Sequence, residues 1–331
     1  MTASFPVRGQ PPAGKSDGAG EIVMVEADVI IPVYKPTLRL IDLLDRLRTQ
    51  TYPVHRIILI NTEKRYFDAF ADEKFWRRYD NLLVKHVTKR EFDHGGTRNF
   101  GVSFSDAPYF IMMTDDALPE DDKLTEHLLM PFEDKRVAMS YARQTPGEGC
   151  GIIESYTRSF NYPEESRIKS AEDIRDMGIK AFFASNVCAA YRREVFDELG
   201  GFPGHTIFNE DMIYARGLLD AGYSIAYAAQ AKVAHSHNYS GLQQLKRNFD
   251  LGVSHAEHPE VFGGILAESE GIRLVKETCG YLWKAGKPWL IFKLIWQSGC
   301  KYIGYFMGKR YQSLPGRMVK KLSMNREYWI K

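Results

Sequence analysis

The 331-residue chain is 44% hydrophobic and 26% charged, the balance of an ordinary globular protein, and its length admits one large α/β domain with an appendage. Its formal net charge of +2 is too small to argue for nucleic acid as a partner. Cys150, Cys188, Cys279 and Cys300 are scattered without CxxC spacing, which argues against a zinc cluster or a disulfide framework and for reduced thiols.

Residues 1–24 are rich in Pro, Gly and Ala and lack an apolar core, which predicts a disordered tail and not a signal peptide. No run reaches the roughly 18 apolar residues of a membrane span, so the expected location is the cytoplasm, free or on a membrane surface. Asp28–Tyr34 is a compact β-branched run that predicts a buried strand. Leu40, Leu43, Leu44 and Leu47 then share one face of a helix. Strands are expected over 56–60, 81–87 and 109–113, with a helix starting near Gly96. This alternation predicts an α/β fold, a mostly parallel sheet flanked by helices. In such sheets ligands gather beyond the carboxyl ends of the strands, where Tyr34, Asn61 and Asp115-Asp116 fall. Further on, helices are expected over 171–178, 193–199 and 211–221, and strands over 186–191, 224–227 and 232–237. Beyond about 241 the pattern is helical.

Four clusters carry the chemistry. Asp115-Asp116 follows an apolar strand and suits a hard divalent cation, although a solvated acidic turn has the same look. Gly95-Gly96 precedes a helix, and Arg98 adds a guanidinium suited to phosphate; a plain loop-to-helix junction is the alternative. Glu210-Asp211 opens a helix, either complementing its dipole or supplying a general base. His235 and His237, two apart, are ready to bind a metal or phosphate, or to serve structure alone.

In this order the clusters resemble family 2 of the inverting glycosyltransferases. Ile30-Ile31-Pro32-Val33-Tyr34 looks like its opening strand and Thr97-Arg98-Asn99-Phe100-Gly101 like its ARNxG segment. Thr114-Asp115-Asp116 stands in the place of DxD, with Thr114 replacing the first acid. Gly200-Gly201-Phe202 precedes Asn209-Glu210-Asp211, which resembles the ED motif. The resemblance runs over about 28–240 and implies the GT-A (Rossmann-like) fold for residues 25–240, with a C-terminal helical appendage over 241–331. It implies Asp211 and Glu210 as catalytic residues, and Pro32, Tyr34, Asn61, Gly96, Arg98, Asp115 and Asn186 as donor-binding residues. It implies Mg²⁺ or Mn²⁺ held by Asp116, Asp115 and His237. The 92–99 stretch, Thr114–Pro119 and His235-Ser236-His237 are most similar to bacterial rhamnosyltransferases, which implies dTDP-L-rhamnose as donor and a saccharide or polyprenyl-linked saccharide as acceptor. Other donors such as UDP-sugars, and a non-catalytic sugar-nucleotide-binding protein, are the alternative readings. A pyrophosphorylase would carry a Gly-rich loop where this chain has Tyr34-Lys35-Pro36.

Residues 281–311 mix aromatics with Lys and Arg. On a helix, Lys293, Gln297 and Lys301 form one polar stripe. That suits a helix in a membrane interface with its basic groups toward anionic lipid; packing on the catalytic domain or in a homo-oligomer contact is the alternative.

Overall fold

The computed structural model describes residues 26–264 and 268–330, so the tail expected over 1–24 lies outside the described residues. The first strands are β1 (Ala27–Tyr34), β2 (Arg56–Thr62), β3 (Leu82–Val87) and β4 (Tyr109–Met113). They pair in parallel in the order β3-β2-β1-β4. Each is nearly continuous in apolar residues because both faces are covered. Val29, Ile31 and Val33 enter one core with Leu40, Leu43, Leu44 and Leu47 of the Leu38–Arg48 helix; Ile30 enters the other with Val102, Phe196 and Leu218.

The second half of the sheet is mixed. β5 (Leu118–Pro119), β6 (Val137–Thr145), β7 (Arg167–Lys169), β8 (Cys188–Arg192) and β9 (Ser224–Ala234) extend it to nine strands, and β4 pairs antiparallel with β8. The two strands expected over 224–237 are one. The ladder of β9 with β6 shifts register between Ala142↔Ala228 and Arg143↔Lys232, and the alanine-rich break in the pattern coincides with that irregularity. His235 and His237 lie just past the strand end.

After β1 the chain turns to one side of the sheet, and after β4 to the other, so a crevice forms at their carboxyl ends. The His94–Val102 helix packs directly over this sheet: a Cβ on Gly101 would sit 2.5 Å from the Ile30 side chain. Asn99 fastens it sideways, donating from Nδ2 to the Phe202 carbonyl (2.8 Å) and accepting from the Phe202 amide (3.0 Å).

Beyond β9, the Gly241–Glu257 and Leu290–Gly308 helices pack face to face. Their backbones touch because Gly252, Gly304 and Gly308 have no side chain. Added Cβ atoms would lie 2.3, 2.1 and 2.1 Å from the carbonyl oxygens of Tyr305, Leu245 and Phe249. Among the described residues no helix is long and apolar enough to cross a membrane. Of the polar stripe expected to face lipid, Lys293 is exposed while Gln297 and Lys301 turn inward. Gln297 donates to the Tyr239 carbonyl (3.0 Å) and Lys301 is partly buried beside the crevice, because the glycine face of the helix beside them is what docks. The outward stripe is Phe292, Ile295, Trp296, Tyr302, Ile303 and Phe306, each 45–80% exposed.

Gly304→Ala is therefore expected to cost about 1–3 kcal/mol from overpacking. Gly299→Ala, on the same helix with nothing within 4 Å of its added Cβ, is expected to gain up to about 1 kcal/mol from helix propensity. Urea denaturation of the two variants checks the opposite signs.

Candidate active site

The crevice holds a cleft of about 530 Å³ lined by Arg98, Asp115, Asp116, Asn186, Glu210, Asp211, His235 and His237, among others. Its floor is an ion pair. Arg98 and Glu210 lie 3.2 Å apart, with side chains 8% and 7% exposed. Glu210 also accepts from Asn186 Nδ2 (3.0 Å), and Asn186 in turn accepts from the Tyr191 hydroxyl (2.7 Å). Burial works to raise the Glu210 pKa, but the Arg98 guanidinium, His94 and Asn186 together hold it below its ordinary value. Arg98 reaches this position from the His94–Val102 helix, also donating to the His94 carbonyl (2.9 Å).

Asp211 stands beside this pair. Its carboxylate accepts the backbone amides of Asn186 (2.9 Å) and Met212 (2.8 Å), which fix its orientation. Burial and then the negative charge of Glu210 push its pKa up to about 7. Asn209, the residue before the helix, adopts φ +65°, a left-handed conformation that asparagine tolerates better than most side chains. Its amide donates to Ser254 Oγ at 3.3 Å. This turn sets where the Glu210–Asp220 helix begins.

Across the cleft, Asp116 meets two imidazoles. His235 Nε2 is 3.5 Å and His237 Nε2 3.3 Å from its carboxylate, and one ligand atom from each of the three lies within 4.8 Å of the others. Burial would raise the Asp116 pKa, but the hydrogen bond and charge of His235 hold it well below the usual carboxylate range. Burial, then His235, lowers His237 to about 4, which leaves it neutral near pH 7. Gln144 sets the His235 tautomer. Its Nε2 donates to the Tyr162 hydroxyl (2.6 Å) and Ser185 Oγ (3.0 Å), so its oxygen accepts from His235 Nδ1 (2.9 Å). His235 Nε2 is therefore the nitrogen that faces Asp116. One carboxylate and two imidazoles fit a divalent cation of the Mn²⁺ class.

The structure thus brings together Arg98, Asp115, Asp116, Asn186, Glu210, Asp211 and His237, as the sequence suggested. Five of the expected residues sit away from the contacts expected of them. Asp115 is not in the ligand trio. It accepts the Tyr34 backbone amide, and burial together with Asp116 raises it to about 6. Gly96 offers no free amide to a phosphate, because its N–H donates to the capping Asp93 carboxylate (2.7 Å) and a Cβ there would meet that carboxylate at 2.5 Å. Asn61 is fully buried against His86 (3.0 Å), away from the cleft. Pro32 stays within the strand body, and Tyr34 sits outside the cleft at the next strand end, edge-on to Tyr66 (5.6 Å) with Lys35 and Lys89 over its ring. His235, absent from the expected metal set, joins Asp116 and His237 in a cluster that could hold a metal ion. Its spacing of two from His237 was the available signal, and the partner that orients it, Gln144, had none.

The Glycosyl transferase family 2 model matches residues 28–200. The O-antigen chain rhamnosyltransferase RfbN of Salmonella typhimurium is 38% identical over 306 residues, covering 91% of this chain and 95% of its own. The O-antigen chain rhamnosyltransferase WbaN of Salmonella anatum is 39% identical with the same coverage. Among solved structures, the mannosyltransferase PcManGT from Pyrobaculum calidifontis, in complex with GDP-Man and Mn²⁺, is 14% identical with a TM-score of 0.55. It is covered to 86% by 93% of this chain. S. aureus TarS 1–349 gives 14% and 0.52, covered to 83% by 90% of this chain. These distant likenesses show a shared fold.

If the trio is the cation site, His235→Ala is expected to weaken Mn²⁺ binding at least about tenfold. Asp115→Asn is expected to change it little. Calorimetric titration with Mn²⁺ in the presence of dTDP reads both; the reverse order would restore Asp115 as the ligand.

Proposed function

From the premise that the chain belongs to glycosyl transferase family 2 and is a glycosyltransferase, we propose that it transfers L-rhamnose from dTDP-L-rhamnose to a surface-polysaccharide acceptor with inversion. The observation that carries the reading is Asp211: a fixed carboxylate facing the cleft, across from a cation site, with a pKa near neutrality. The rhamnose assignment is supported by the two relatives named for it.

Asp211 takes the proton from the acceptor hydroxyl as that oxygen attacks the anomeric carbon. A base of pKa near 7 is mostly ionised at pH 7.5 and still basic enough to accept a proton, and positioned base catalysis supplies about 10²–10⁴ in rate. Glu210 stays an anion locked to Arg98, so it positions Asp211 and raises its basicity without taking the proton. Asp116, His235 and His237 would hold a divalent cation, Mg²⁺ or Mn²⁺, which when bound neutralises charge on the departing diphosphate. Arg247, over the Phe208 ring at 4.6 Å and lining the same cleft, adds a cation for phosphate oxygens.

The appendage supplies a location. From Thr278 to Arg326 the chain carries ten Lys and Arg and no Asp or Glu, alongside the outward aromatic stripe. Exposed aromatics beside uncompensated cations fit an anionic bilayer surface, on the cytoplasmic face where nucleotide sugars are available. Phe292→Asp is expected to reduce co-sedimentation with vesicles containing phosphatidylglycerol, and unchanged sedimentation would remove the membrane from the account.

Asp211→Asn is expected to lower transfer at least about 10²-fold while dTDP-rhamnose still binds. In the parent enzyme, kcat/KM should fall about tenfold per unit as pH drops below about 7, because protonating a carboxylate of raised pKa removes the base. Release of dTDP from dTDP-rhamnose in the presence of acceptor measures both, and near-normal turnover by the Asn variant would displace Asp211 from the role.

A further inference from the structure

The loop over 203–209 delivers Glu210 and Asp211 to the cleft, and from His205 onward it rests on the C-terminal region. Phe202, just before the loop, is held by Asn99. Past it, Ile207 is buried in a cluster with Phe249 and Val253 of the Gly241–Glu257 helix and Val319 of the Gly316–Leu322 helix. Ser254, 1% exposed, holds the end of the loop with a single hydroxyl. It donates to the Phe208 carbonyl (2.8 Å) and accepts from Asn209 Nδ2 (3.3 Å). An asparagine just before a helix ordinarily turns its side chain back onto the first amides of that helix. Asn209 makes no such bond, and its amide is committed to Ser254 instead. The residue that opens the helix of Glu210 and Asp211 is thereby tied to a second helix.

The start of the loop is held by the 323–330 segment. His205 has φ +52°, a left-handed backbone that a histidine seldom adopts. Its ring lies on Tyr328, with centroids 4.6 Å apart and planes 15° from parallel. Tyr328 is itself fixed, because its hydroxyl donates to Glu257 (3.0 Å) and its ring meets Trp329 edge-on (5.1 Å). The amides of Met324 and Asn325 both donate to the buried Asp250 carboxylate (2.9 and 3.1 Å). Asp250, Ser254 and Glu257 recur at helical spacing on one face of the Gly241–Glu257 helix. That face grips the 323–330 segment with two acids and the end of the loop with a serine.

We propose that the 323–330 segment and the Gly241–Glu257 helix form a clamp that places the general base, with Tyr328 and Ser254 as positioning residues for Asp211. Tyr328 fixes where the loop starts, Ser254 fixes where it ends, and Ile207 fills the space between. Among the described residues that line the cleft are Phe208 and Asn209 but neither Ser254 nor Tyr328, so both act through the loop. A reacting group displaced by about 1 Å can lose about 10²-fold in rate, which makes such distant ties matter. The proposal rests on the reading of Asp211 as the base and adds to it the part of the appendage that holds the base in place.

Three variants of the full chain test it: Tyr328→Leu removes the flat ring, Tyr328→Phe keeps it, and Ser254→Ala removes the hydroxyl. Tyr328 is partly exposed, so its variants leave the core intact. Tyr328→Leu and Ser254→Ala are each expected to lower kcat for rhamnose transfer at least about tenfold, with KM for dTDP-rhamnose changed less than about twofold. Tyr328→Phe should stay within about threefold of the parent kcat. Because both ties act on one loop, the double variant should lose less than the product of the two single losses. Hydrogen exchange reads the clamp without substrate. The Asn186 and Met212 amides, which bond the Asp211 carboxylate at 2.9 and 2.8 Å, should exchange faster in Tyr328→Leu and Ser254→Ala but not in Tyr328→Phe. A lowered melting temperature with kcat and this exchange unchanged overturns the clamp. So does a loss in Tyr328→Phe as deep as in Tyr328→Leu, which would take the stacked ring out of the account. Faster exchange in the variants of a chain whose Asp211→Asn form still transfers sugar would keep the clamp and remove Asp211 as the base.

Discussion

The buried pair of Arg98 and Glu210 is the constraint on which the rest of the site depends. Glu210 is 5% exposed and Arg98 7%, and neither charge is tolerable there without the other. Removing one partner of such a pair typically costs about 3–5 kcal/mol. The pair ties the helix that follows β3 to the helix that precedes β9, two pieces of chain more than a hundred residues apart. Once Glu210 is pinned, Asp211 is placed at the cleft wall. Because Glu210 must remain an anion, its charge adds to burial in raising Asp211 toward neutrality. One interaction thus supplies position and basicity together.

The opposite side of the cleft follows the same logic with different groups. Asp116 is kept ionised inside the protein by His235 and His237. His237 stays neutral because burial lowers its pKa, and Gln144 orients the His235 ring through its Nδ1. Asp211 and the cluster of Asp116, His235 and His237 line the same cleft. Tyr162 and Ser185, through Gln144, connect the second half of the sheet to this geometry.

How much of this could be read from the chain depends on how local each signal was. The strands over 27–34 and 109–113 and the helix over 38–48 were legible because burial on both faces, or on one stripe, leaves a strong apolar period. Arg98, Asp116, Glu210 and Asp211 were legible as short motifs at element ends. β6 was not, since Ser140, Arg143 and Gln144 interrupt its apolar run; Ser140 and Gln144 are nonetheless buried. Gln144 gave no sign of orienting His235 because the two are 91 residues apart. Gly96 was misleading: its value is the tight cap with Asp93, which resembles a phosphate-binding turn in sequence but leaves its amide occupied. The Lys293-Gln297-Lys301 stripe was legible as a stripe, but only the packed Gly304 and Gly308 face shows that Gln297 and Lys301 turn inward while Lys293 stays exposed.

The central claim is a single displacement in which Asp211 delivers the acceptor oxygen directly to the anomeric carbon, with no second nucleophile. Stereochemistry tests it most directly. NMR of the product formed from dTDP-rhamnose of known anomeric configuration should show the opposite configuration in the new linkage. Retained configuration would contradict the account, since it would require a second displacement.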